Sequence, residues 1–156
     1  MKVDIGRYPN QIRRIKIHEW DCWSVDWTLA QIIEPMIKRI MADKRGIPGC
    51  MFEDKNIEYT DEEFAKAEHR WNEILEKIRW AMYEIGHSEP NQPERKRSNI
   101  GSRRGDWAKF IQKLKTPISK EEKADLDEFS EKSKAYNNRI QEGCELFGKY
   151  FQNLWT

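Results

Sequence analysis

Hydrophobic positions along this chain recur mostly at intervals of three and four. Leu29, Ile32, Ile33, Met36, Ile37, Ile40 and Met41 make the first such stripe, the pattern of an amphipathic helix. Its expected span is 24–44. Ser24 stands where an N-cap is wanted, and Asp26 favours the positive end of the helix. Pro35 falls inside the stripe; it brings no backbone donor and is expected to kink or divide the helix. Lys44-Arg45-Gly46-Ile47-Pro48-Gly49 is a stop signal, with cations at the last turn, then Gly, then Pro. A mixed, acidic linker over 50–59 follows. Thr60 and Glu63 then spell a capping box. Behind it, over 61–85, Phe64, Ala67, Trp71, Ile74, Ile78, Ala81 and Ile85 alternate in steps of three and four, a heptad stripe, and Gly86 ends it.

Ser119 and Glu122 form a second capping box. The helix predicted behind it, 120–155, carries Leu126, Phe129, Ser133, Tyr136, Ile140, Gly143, Phe147, Tyr150 and Leu154 on one face. Gly143 and Gly148 weaken it by about 1 kcal/mol each relative to Ala, unless something packs closely there. Between the two boxes, over 87–117, Pro90, Pro93, Gly101 and Gly105 break the periodicity, and only 107–114 reads as a short helix. At the start, Val3 and Ile5, then Ile15 and Ile17, alternate with polar neighbours around a Tyr8-Pro9-Asn10 turn signal. The region 2–18 is therefore read as a β-hairpin, which needs a helix or another subunit to lie on. The expected fold is mainly α, a single domain over 1–156. It is a long-helix bundle with a short N-terminal hairpin, its seams completed by oligomerisation, as a dimer or tetramer.

Composition sharpens this picture in two ways. Charged residues make up 35% of the 156 and hydrophobic ones 38%, so apolar groups lie on stripes rather than through a thick globule. The 28 basic and 27 acidic residues nearly cancel, so only local charge can speak for a polyanionic partner. Cys22, Cys50 and Cys144 are far apart, with no C-x-x-C pair for zinc or redox work. Without an apolar leader or a run of about 18 apolar residues, a soluble protein of a reducing cytoplasm is expected, with no membrane partner.

Candidate chemistry concentrates at two places. The run Arg95-Lys96-Arg97-Ser98-Asn99-Ile100-Gly101-Ser102-Arg103-Arg104 holds five cations among Ser and Gly, followed by Trp107. Arginine binds phosphate oxygens in pairs, and an indole offers a face for a base; the plainer alternative is a solvated basic loop. Trp20, Trp23 and Trp27 sit within eight residues, interleaved with Asp21 and Asp26. Aromatic groups at such spacing usually join the core; the alternative is a stacking wall for a planar ligand, with a carboxylate able to accept from a guanine edge. Glu73 and Glu76, with Glu122 and Asp125, resemble the helical acid pairs that hold magnesium in all-α nucleotide pyrophosphohydrolases of the MazG type, although solvated helix faces give the same spacing. His18, His69 and His87 show no ligating or catalytic spacing, and no P-loop, dinucleotide fingerprint or nucleophile elbow is present. No catalytic residue, metal or cofactor is expected.

Several strings resemble a large family of small tailed-phage proteins. They are 20–36, Lys44-Arg45-Gly46-Ile47-Pro48, 71–81, Arg139-Ile140-Gln141-Glu142-Gly143, 146–151 with Leu154-Trp155, and the opening 2–8. They cover nearly the whole chain in order; the basic stretch 95–104 is not part of the resemblance. This family is similar to the anti-CBASS sponges, phage proteins that bind cyclic dinucleotides between subunits without hydrolysing them. The resemblance implies an immune-evasion protein in the cytoplasm of an infected bacterial host. In that role Arg97, Arg103 and Arg104 would contact phosphates, Trp23 and Trp107 would stack on bases, Asp26 would read a base edge, and Arg45 would add a cation. The alternatives are a phage accessory protein that binds nucleic acid or inhibits a host protein, and a magnesium-dependent pyrophosphohydrolase.

Overall fold

A computed structural model describes residues 2–4, 14–52, 59–94 and 119–155. The fold is mainly α. Strands β1 (Lys2–Asp4) and β2 (Arg14–Lys16) pair antiparallel, Val3 opposite Ile15. Four helices follow among the described residues: α1 (Glu19–Trp23), α2 (Val25–Asp43), α3 (Asp61–Gly86) and α4 (Lys120–Tyr150). Two compact units are distinguished, one of residues 1–90 with 139–156 and one of 91–138.

In the first unit, α2 and α3 run antiparallel. Lys44, just past the end of α2, donates to Glu68 near the start of α3 at 2.6 Å. At the other end, a Cβ on Gly86 would lie 3.3 Å from the Gln31 backbone nitrogen. The apolar stripe of α2 is buried through Ala30, Ile37 and Ile40, against Ala67, Trp71, Leu75, Ile78 and Met82 of α3. Residues 139–150 of α4 cover another side of α3: Tyr150 meets Trp71 edge-on at 5.6 Å, and the Arg139 guanidinium lies 3.8 Å over the Trp80 ring. Gly143 is buried there, and a Cβ on it would stand 2.7 Å from the Lys77 carbonyl oxygen and collide with Ala81. The close packing that would justify a glycine in mid-helix is thus present.

Both capping boxes form as their spacing requires. Thr60 N–H donates to Glu63 at 2.8 Å while Glu63 N–H donates to the Thr60 hydroxyl at 3.3 Å. In the second unit, Glu122 N–H donates to the Ser119 hydroxyl at 3.1 Å and Ser119 N–H to Glu122 at 3.2 Å.

Several expectations are corrected. Pro35 does not divide α2, which runs unbroken to Asp43. A proline costs one donor, and the buried face on α3 holds the helix across that gap. Ser24 sits at the N-cap position but makes no side-chain capping bond. It is the joint between α2 and the short α1, where His18 N–H donates to Asp21 at 2.7 Å. The final helix stops at Tyr150 rather than 155 and passes into a 3-10 turn, Phe151–Asn153. Trp155 then packs on Gly46, its ring 3.2 Å from where a Cβ would be. The 50–59 segment is not wholly a linker: Met51 is buried in the core, and Phe52 stacks on Tyr59 at 4.0 Å. The seam of α3 is also broader than its heptad, since Leu75 and Met82 are buried while Phe64 is exposed. The turn at 8–10 and the short helix expected over 107–114 lie outside the described residues.

Candidate functional site

The site begins at the one-residue joint between α1 and α2, around which three large apolar rings stand in solvent. Helix α1 is held on α2 by the Thr28 hydroxyl, 3.4 Å from the Asp21 carbonyl oxygen. Five residues of helix bury none of their side chains. Trp20 is 76% exposed, Trp23 79% and Trp27 44%. The expectation that these indoles belong to the core is overturned: the core face of α2 starts at Ala30, and α1 lies beyond it. Trp20 and Trp23 instead lean on one another, 5.2 Å between ring centroids at 44°.

An open groove of about 600 Å³ is bordered by the three tryptophans, by Ser24 and Asp26, and by Ile85, Ser88 and Glu89 from the end of α3. Its volume falls in the range of small-ligand sites. Antiparallel packing explains the second set of residues, because it returns the end of α3 to the start of α2. Beyond Gly86, Ser88 and Glu89 take φ values of 59° and 56°. Two successive non-glycine residues in the left-handed region are costly. They are held by Glu89 N–H, which donates to the Glu84 carbonyl at 2.7 Å. Among the described residues bordering the groove there is no Lys or Arg; its charge is that of Asp26 and Glu89.

The structure brings together only part of the expected site. Trp23 and Asp26 border the groove, and Asp26 is in the first turn of α2. Arg45 is exposed past the far end of that helix, roughly 28 Å from Asp26 at 1.5 Å per residue. Within one chain it does not share their site. Arg97, Arg103, Arg104 and Trp107 lie outside the described residues. Sequence reasoning missed Ile85, Ser88 and Glu89. The available signal was Gly86 followed by polar residues, but it marks a helix end without saying where that end packs.

The acid pairs have other partners. Glu76 accepts from Arg79 Nε at 2.7 Å and Nη2 at 2.5 Å, and this bonding holds its carboxyl below the ordinary value. Arg79 also has the buried Glu34 carboxylate at 3.8 Å, itself ion-paired with Lys38 at 2.8 Å. Glu73 stands 3.4 Å from His69, and Glu122 serves its cap. Among the described residues no group of three or more His, Cys, Asp or Glu is arranged to hold a metal ion. A smaller cavity of about 320 Å³ involves Cys50, Arg70, Glu73, Lys77 and Glu142, but Lys77 and Glu142 pair with each other at 2.6 Å. Burial pushes the Cys144 thiol up, and Glu145 adds to the effect.

Fold and site together define a mainly α protein with an exposed, acid-edged tryptophan groove. No protein-family model, curated protein or solved structure matches the chain. No helix among the described residues is long and apolar enough to cross a membrane.

Proposed function

We propose that this chain is a non-catalytic binding protein that sequesters cyclic di- or oligonucleotide second messengers intact. It acts as a phage-encoded, homo-oligomeric immune-evasion protein of the anti-CBASS sponge type, in the cytoplasm of the infected host. The observation that carries this reading is the set of exposed indoles, Trp20, Trp23 and Trp27, around one groove with a carboxylate at its edge. Indole faces stack on bases of any sequence, and a carboxylate reads a donor edge. Phosphates are met elsewhere, by the arginines assigned from the sequence: Arg97, Arg103, Arg104 and, from a second copy, Arg45. A second apolar face supports the oligomer. Val25, Leu29 and Met36, spaced by four and seven, are each close to half exposed or more on a helix whose other face is already buried.

The test is a melting-temperature panel with purified protein and cyclic nucleotides. A ligand at about a hundred times its dissociation constant should stabilise the fold by about 2.7 kcal/mol, and Trp23→Ala should remove the shift. No shift with any cyclic nucleotide overturns the reading. A second reading, inhibition of a host protein, is favoured by the exposed run Ile15, Ile17, Trp20 and Trp23. It gains if that surface captures a protein while every nucleotide fails.

A further inference from the structure

We infer that the tryptophan groove selects guanine among the bases. This rests on the proposed reading of the groove as a base site and adds which base it takes. The polar residues at its border are Asp26, Glu89, Ser24 and Ser88, with no cation among the described residues there. An ionised carboxylate only accepts hydrogen bonds, so the edge turned toward it must donate. The Watson–Crick edge of guanine presents N1–H and the N2 amino group side by side, two donors for the two oxygens of one carboxylate. Adenine and cytosine set a single amino donor beside a ring acceptor. Uracil sets one N–H between two carbonyl oxygens. Each of these three therefore turns a lone pair toward the carboxylate.

The same charge fixes orientation, because Asp26 and Glu89 repel phosphate and leave the sugar–phosphate portion directed away from the groove. The rim fits a built feature as well. The left-handed pair Ser88 and Glu89 lines the groove and is held by the backbone bond to Glu84, and strain of this kind clusters at binding sites. An alkylguanidinium or ammonium group also suits indoles and carboxylates. The groove's volume of about 600 Å³ favours a base with its sugar over so small a cation.

The experiment follows tryptophan fluorescence while guanosine, inosine, adenosine and uridine 5′-monophosphates are added at constant salt. All four carry the same phosphate, so differences report the base. Guanosine monophosphate should act at a concentration at least about fivefold below the adenosine and uridine compounds, as one bidentate pair implies. Inosine, which lacks the amino group, should fall between. Asp26→Asn and Glu89→Gln, checked for unchanged melting temperature, should together bring the four within about threefold. Equal midpoints in the parent protein, a preference that survives both substitutions, or displacement by methylguanidinium at lower concentration overturns the inference. Cyclic di-guanylate and cyclic di-adenylate run alongside separate the two claims. If both bind equally and the monophosphates are not distinguished, base selection falls and sequestration stands. If guanosine monophosphate is preferred but neither cyclic compound binds, sequestration falls and the base site stands.

Discussion

At Gly143, α4 packs tightly on α3. A methyl group added there meets the Lys77 carbonyl oxygen at 2.7 Å and runs into Ala81, both part of a rigid helix. Gly148, one and a half turns on, faces open space. The same substitution should thus have opposite signs at two glycines of one helix. Gly143→Ala should destabilise by about 1–3 kcal/mol through overpacking. Gly148→Ala should stabilise by about 0.5–1 kcal/mol through helix propensity. Urea unfolding of the two variants decides it, and equal shifts would show that the crossing is looser than described. The sequence stated the condition at Gly143, a cost unless something packs closely. The group that packs there belongs to a helix about sixty residues earlier, which no local pattern reveals.

At the scale of elements, the capping boxes and apolar stripes were legible because they depend on residues three and four apart. Pro35 misleads because a proline's local cost competes with a buried face that extends on both sides of it. The consequence reaches the site: with α2 unbroken, Arg45 stands a helix length from Trp23 and Asp26. Helix α3 also carries a pH signature. Arg79 holds Glu76 below its ordinary value of 4.5, and the more distant Arg139 acts in the same direction against desolvation. A carboxyl lowered in the folded state contributes stability above its unfolded value and loses it as pH falls through its folded value. The urea midpoint of the parent protein should therefore fall more steeply below about pH 4.5 than that of Glu76→Gln. Parallel curves would show that the pair adds nothing to the fold.

For the molecule as a whole, the α2 stripe read from the sequence as one face is only partly buried: Ile37 and Ile40 join the core, while Leu29 and Met36, with Val25, are exposed. On the proposed oligomeric reading, a second copy covers Val25, Leu29 and Met36. Leu29→Lys with Met36→Lys should then yield a folded species of half the mass or less by light scattering, whereas an already monomeric parent protein would remove the oligomer from the account. The groove was half legible. Three tryptophans in eight residues announced an aromatic surface, but their exposure depends on α1 lying outside the core. Ser88 and Glu89 reach the groove only because α3 returns antiparallel to α2. The central claim, that a ligand is held and left unbroken, is tested most directly by its recovery. Protein in excess over a cyclic dinucleotide should deplete it from solution, and heating should then return the full amount with unchanged mass. Recovery of linear or cleaved nucleotide, or no depletion at all, would contradict the account.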